Sequence, residues 1–153
     1  MASLETLLHP NRVMCRTDAA SKKRVLELVA AHIAGSEPDL QEAHIYTSLI
    51  ERERLGTTAL GAGVAVPHCR VPGIESPLGC LATLAAGVDF DAPDGQKVDL
   101  LFVLLVPPEA TQEHLDILAA VAQRFSDAHY CRGLREAADQ DTLLQAARLA
   151  RAA

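Results

Sequence analysis

Tryptophan is absent from this chain, and three phenylalanines and two tyrosines are its only large aromatic residues. A protein so poor in rings has no stacking platform along which a single-stranded nucleic acid could thread. Basic residues are outnumbered as well: 14 lysines and arginines stand against 20 acidic residues, a formal net charge of −6. That balance excludes the concentrated basic face of a nucleic-acid-binding protein. The one basic cluster, SKKR from Ser21 to Arg24, reads as a solvated helix start. Long apolar runs are missing. The longest, Leu100 to Val106, is far too short to span a bilayer, so no membrane insertion is expected. The four cysteines, Cys15, Cys69, Cys80 and Cys131, show no C-x-x-C spacing, which excludes a zinc framework and a small disulfide scaffold. The N-terminus carries no charged-then-apolar signal segment, and a reducing cytoplasm is the expected compartment.

What remains is an aliphatic chain of 153 residues, 49% apolar and 22% charged, long enough to bury a core without metal or disulfide. It is read as one domain over residues 1–153. Helical spacing of Val25, Leu26, Leu28, Val29 and Ile33 predicts a helix over 21–34, capped by Ser21 or Asp18 and stopped at Gly35. A second stripe, Leu40, Ala43, Tyr46, Leu49 and Ile50, predicts a helix over 39–54 with Asp39 as cap and Gly56 at its end. Three apolar stretches then read as strands: GVAVPH ending at His68, GCLATLA over 79–85, and VDLLFVLLVPP over 98–108. The last is apolar without alternation, so it is a central strand buried on both faces. Helical spacing returns over 109–125 and, in shorter segments, over 131–138 and 141–152, while residues 89–96 carry turn chemistry. Helices before, between and after strands imply an α/β domain, a mixed sheet flanked by helices on both sides.

Of six histidines, two occupy positions where reactive groups collect. His68 follows Pro67 at the exit of a strand that carries no other polar side chain. His114 lies in the first turns of the helix after the central strand, where free N–H groups and the helix dipole favour anions. Groups at strand exits converge on one sheet edge, so the two imidazoles can share a pocket. Three chemistries fit such a pair. Metal binding has a thin ligand set, because His68 and Cys69 point apart in an extended chain. A Cys69 nucleophile would depend on His114 as its base. Phosphoryl transfer through histidine needs a neutral imidazole, donors for three oxygens and a cation. Arg52 and Arg54, at the end of the second helix, offer planar forks suited to phosphate oxygens. The loop GTTALGAG offers amides and hydroxyls, but without a G-K-[ST] ending it is not a nucleotide-binding P-loop.

RERLGTTALGAGVAVPHC, with Glu53, Leu60, Gly61, Val64, Ala65, Val66, Pro67 and His68 at their spacing, resembles the active-site segment of the bacterial phosphotransferase-system enzyme IIA domains of the fructose, mannitol and nitrogen-regulatory class. The resemblance extends to VDLLFVLLVPPEATQEHLDIL and covers about Leu7 to Leu149. LLHPNRVMCRTDAASKKRVLELVAAHIA resembles the opening of the nitrogen-regulatory branch. It implies a mixed sheet flanked by helices, with His68 phosphorylated at Nε2, His114 as second active-site histidine and Arg52 beside the phosphoryl oxygens. Thr57 and Thr58 stand where the family has hydroxyl residues that contact phosphate. It also implies a phosphohistidine carrier of the HPr or NPr kind as donor, regulatory targets or a IIB domain as acceptor, and no cofactor or metal. Three outputs follow: a regulator whose phosphorylation state changes its partners, a sugar-specific IIA passing phosphate to a IIB domain, or a binding module without relay activity.

Overall fold

The computed structural model describes residues 4–109 and 112–149. A short helix α1 (Leu4–Leu7) and a 3-10 turn (Pro10–Arg12) lead into strand β1 (Val13–Thr17), which sequence periodicity misses. Helix α2 (Lys22–Ser36) follows, and Ser21 caps it as expected, its side chain accepting from the Arg24 N–H at 3.1 Å. Helix α3 (Glu42–Leu55) starts later than its periodicity suggests. Asp39 is not its cap: the Leu40 N–H donates to the Glu37 carbonyl in a turn, and Gln41 opens the helix without a side-chain cap. Five further strands are β2 (Ala59–Gly61), β3 (Val64–Ala65), β4 (His68–Arg70), β5 (Leu78–Val88) and β6 (Val98–Val106). The chain closes with α4 (Gln112–Phe125), α5 (Ala128–Glu136) and α6 (Gln140–Leu149). Helix α5 starts three residues before the predicted Cys131, because the Asp127 carboxylate caps it, accepting from the His129 and Tyr130 N–H groups. The predicted end of the last helix at 152 lies outside the described residues. No described helix is long and apolar enough to cross a membrane.

The strands form one mixed sheet in the order β1-β5-β6-β3-β2, with β4 also beside β6. Strand β6 runs antiparallel to β5 and parallel to β3 and β4. Val64 pairs with Leu100 and His68 with Leu104, so the register is the same on both sides of Pro67. The proline interrupts the ladder, because it has no N–H to give, but the extended line resumes at His68. The expected single strand ending at His68 is therefore corrected: it breaks at Val66 and Pro67 and runs on to Arg70.

Alternation along β6 sorts the core. Leu101, Val103 and Leu105 pack under α2 and α3 with Val25, Val29, Ile33, Ile45 and Leu49. Leu100, Phe102, Leu104 and Val106 pack on the other face with Ile117, Val121, Phe125, Leu134 and Leu143. Each fully buried Leu or Val contributes about 1.5–3 kcal/mol, so this two-sided burial holds the central strands, and the ends of β4 and β6 inherit their rigidity.

Candidate functional site

The same alternation fixes His68. Val64 and Val66 belong to the core under α4 to α6, whereas Ala65 and Cys69 belong to the core under α2 and α3. His68 thus emerges on the α4 side, where the first turn of that helix brings His114. The two rings lie edge to face, their centroids 5.7 Å apart and their planes at 61°. His68 is half-buried, while His114 is buried and its Nδ1 finds no hydrogen-bond partner among the described residues.

The tautomer of His68 follows from one contact. Its Nδ1 lies 2.8 Å from the Val66 carbonyl oxygen, which can only accept, so the ring carries its proton on Nδ1. The lone pair is then on Nε2. Burial pushes the pKa of His68 below the ordinary histidine value. The Val66 hydrogen bond opposes that shift, the Arg52 charge adds to it, and the Glu53 charge opposes it. His114 is lowered by burial first, then by the charges of His68 and Arg70. Both rings are therefore neutral near pH 7, and the Nε2 of His68 is an available nucleophile.

The remaining sequence candidates divide. Arg52, in the last turn of α3, donates through Nη1 to the Gly56 carbonyl at 2.9 Å, and its charge reaches His68. Thr57 and Thr58 have their hydroxyl protons committed elsewhere. The Thr57 hydroxyl donates to the Phe90 carbonyl at 2.5 Å, and the Thr58 hydroxyl to the Glu53 carboxylate at 2.7 Å. A hydroxyl has one proton, so neither donates outward in this arrangement. Cys69 is buried, and burial pushes its pKa up to about 12, which leaves an unreactive thiol.

Two charged groups join the site that sequence reasoning did not place there. Arg70 lies two residues past His68, hence on the same side of the strand. It donates to the Pro108 carbonyl at 2.9 Å, and its charge reaches His114. The strand period carried that signal, but only if the strand continues past Pro67. Lys22, read as part of a solvated helix start, is instead largely buried. It pairs with Glu53 at 3.2 Å and Asp91 at 3.1 Å and lies over the Phe90 ring. Among the described residues, no three His, Cys, Asp or Glu side chains stand where one metal ion could join them.

The arrangement offers a neutral imidazole nucleophile, a second imidazole edge-on to it, and two guanidinium charges, Arg52 reaching the first ring and Arg70 the second. The family described as phosphoenolpyruvate-dependent sugar phosphotransferase system, EIIA 2, matches residues 6–148. A nitrogen regulatory protein of Pseudomonas aeruginosa is 45% identical over 145 residues, 95% of this chain and 94% of that protein. The crystal structure of nitrogen regulatory protein IIA-Ntr from Neisseria meningitidis is similar with a TM-score of 0.85 at 34% identity, covering 94% of this chain and 98% of that one. The structure of enzyme IIAMTL complexed with phosphorylated enzyme IIBMTL, from Escherichia coli, shares the fold with a TM-score of 0.75 at 16% identity, over 92% and 96% of the two chains.

Proposed function

The chain belongs to the EIIA 2 family of the phosphoenolpyruvate-dependent phosphotransferase system, in its nitrogen-regulatory branch, and from that membership we propose that His68 carries the phosphoryl group of a regulatory relay. The observation that carries this reading is the Nδ1 contact with the Val66 carbonyl, which leaves the Nε2 lone pair free beside His114. The donor is a phosphohistidine carrier protein. Nε2 of His68 attacks its phosphorus in line; the new P–Nε2 bond forms as the donor's P–N bond breaks, and that electron pair stays on the donor's imidazole. The Nδ1–H of His68 keeps its bond to Val66, and that carbonyl stabilises the positive charge the ring acquires. Arg52 and Arg70 offset charge on the equatorial oxygens, and His114 holds one of them through a ring N–H.

The rim suits a protein donor. Leu55, beside Arg52 and Arg54, is 85% exposed, and Leu115, beside His114, is 59% exposed. Exposed leucines next to two of the proposed site residues are free to meet a protein donor. The output is regulatory. A phosphoryl group adds about −1.5 to −2 to a molecule already at −6, at a point where partners meet it.

Incubation with the carrier, its phosphorylating enzyme and labelled phosphoenolpyruvate tests the reading. Acid-labile, base-stable label is expected on the wild-type chain and none on His68→Ala. Label that persists on His68→Ala would remove the assignment.

A further inference from the structure

Glu53 is buried at the end of α3, with 6% of its surface exposed. Its Oε1 accepts the Thr58 hydroxyl at 2.7 Å, and its Oε2 accepts the Thr58 N–H at 3.0 Å. Lys22, from the start of α2, closes on Oε2 at 3.2 Å. One carboxylate thus grips both polar groups that Thr58 can donate, and it carries its own counter-ion. Thr58 passes the constraint on: its carbonyl accepts the Val66 N–H at 3.0 Å. Val66 in turn presents the carbonyl that holds the His68 ring, across Pro67, whose φ is fixed. Hydrogen bonds joined by single backbone residues therefore link Lys22, Glu53, Thr58, Val66 and His68 in one chain.

We propose that Glu53 is a positioning residue for the phosphoryl-bearing histidine, holding His68 in its Nδ1–H tautomer through Thr58 and Val66, with Lys22 as the counter-ion that keeps the carboxylate in place. The inference rests on the assignment of His68 above. Its physical basis is that the backbone of His68 is already secured by β6, the Leu104 N–H donating to the Pro67 carbonyl at 2.9 Å. What β6 does not secure is the direction of the Val66 carbonyl, because Val66 lies in the gap between β3 and β4. The Val66 N–H bond to Thr58 anchors the peptide before Val66, and Pro67 with its β6 bond anchors the chain after it, so the Glu53 grip on Thr58 limits the backbone rotation at Val66 that aims its carbonyl. Supporting groups of this kind keep a reactive side chain in one rotamer and one protonation pattern before the partner arrives.

Substitutions at Glu53 separate positioning from plain stability. Glutamine keeps an oxygen for the Thr58 N–H and Lys22, and its amide can donate to the Thr58 hydroxyl. Glu53→Gln should therefore keep the tautomer and accept phosphoryl groups within about threefold of wild type, whereas Glu53→Ala should slow acceptance by about 10- to 100-fold, the scale of a small misplacement. The deciding readout is the imidazole nitrogen spectrum of the unphosphorylated protein, with His68 assigned by difference from His68→Ala. Wild type and Glu53→Gln should show a protonated Nδ1 and an unprotonated Nε2. Glu53→Ala, folded by circular dichroism, should show a mixture of the two tautomers. A folded Glu53→Ala protein that keeps the wild-type His68 signals would overturn the proposal, whatever its thermal stability. Should Glu53→Ala not fold, Thr58→Val and Thr58→Ser replace it: valine should mix the tautomers and serine should not, and identical spectra for the two would equally overturn it. Because these spectra need no donor, a failure of the relay reading leaves this test intact, and a failure of this test leaves the relay reading standing.

Discussion

Cys69 sits one residue from His68 and shares none of its chemistry. Alternation turns its side chain into the opposite core, and burial holds its thiol protonated with a pKa of about 12. Cys69→Ala should keep phosphoryl acceptance within a few-fold, measured as initial label incorporation, and complete loss in a folded protein would put the thiol into the mechanism. Arg52 is different. One of its nitrogens is bound to the Gly56 carbonyl, which fixes the fork while leaving other N–H groups for the phosphoryl oxygens of the proposed relay. Arg52→Lys keeps the charge but loses the fork, and acceptance should fall by about tenfold. The pH response has a definite sign. His68 and His114 are both lowered from the ordinary value of 6.5, mainly by burial. Acceptance should therefore persist below pH 6.5 and fail only as His68 protonates at its lower folded value. Stability moves the same way. Below the unfolded value the unfolded chain binds more protons than the folded one, so stability falls as pH drops through 6.5 and levels off below the folded values. Denaturant midpoints that rise on acidification through this range would contradict the lowered values. At this scale the two histidines were legible, because a polar ring at a strand exit or helix start stands out against apolar neighbours. Arg70 and Lys22 were not. Nothing local says that a strand continues past a proline, or that a lysine in SKKR will fold over Phe90 and meet a carboxylate 31 residues away.

Elements were legible in proportion to how local their cause is. Strand β6 declares itself through an unbroken apolar run, and α2 through its stripe and its Ser21 cap. Strand β1 does not, since its five residues bury only Val13 and Met14 and it joins the sheet at the edge beside β5, where Val13 pairs with Leu81. Its existence is a tertiary fact. The join between β5 and β6 also hides a requirement. A Cβ on Gly79 would lie 2.4 Å from Cζ of Phe102, so the ring occupies the space the missing side chain leaves. Gly79 pairs with Leu104, and Leu104 pairs with His68, which puts this contact on the row of the sheet that carries His68. Gly79→Ala should cost about 1–3 kcal/mol by overpacking. Combining it with Phe102→Leu should recover part of that loss, and a strictly additive pair in denaturant titrations would refute the steric cause.

At the scale of the molecule, the end of the sheet that holds His68 is tied down by a buried cation far from it in sequence. Arg12 has 7% of its surface exposed. Its Nε donates to the Gly79 carbonyl at 2.9 Å, its Nη2 to the Leu7 carbonyl at 3.2 Å, and its Nη1 pairs with Glu37 at 2.9 Å. One guanidinium therefore joins the N-terminal helix, the end of α2 and the start of β5. Its partner Gly79 on β5 is two strand steps from His68, across β6, a span of about 10 Å at the usual strand spacing. The contact is structural, because none of its partners touches His68 or the groups whose charge reaches it. Arg12→Met fills the volume but leaves two buried carbonyls and Glu37 without their donor. The expected cost is about 2–4 kcal/mol, the penalty for leaving two buried carbonyls unsatisfied, while the half-exposed Glu37 regains water. For a chain of this size that lowers the melting temperature by roughly 10 °C. Phosphoryl acceptance measured well below the transition should stay within about twofold of wild type, since β6 alone sets the backbone of His68. A folded Arg12→Met protein that melts like wild type would mean the network adds nothing to stability. One that melts normally yet transfers slowly would mean the constraint runs along the Gly79–Leu104–His68 row, and Arg12 would then belong with the site instead of with the scaffold.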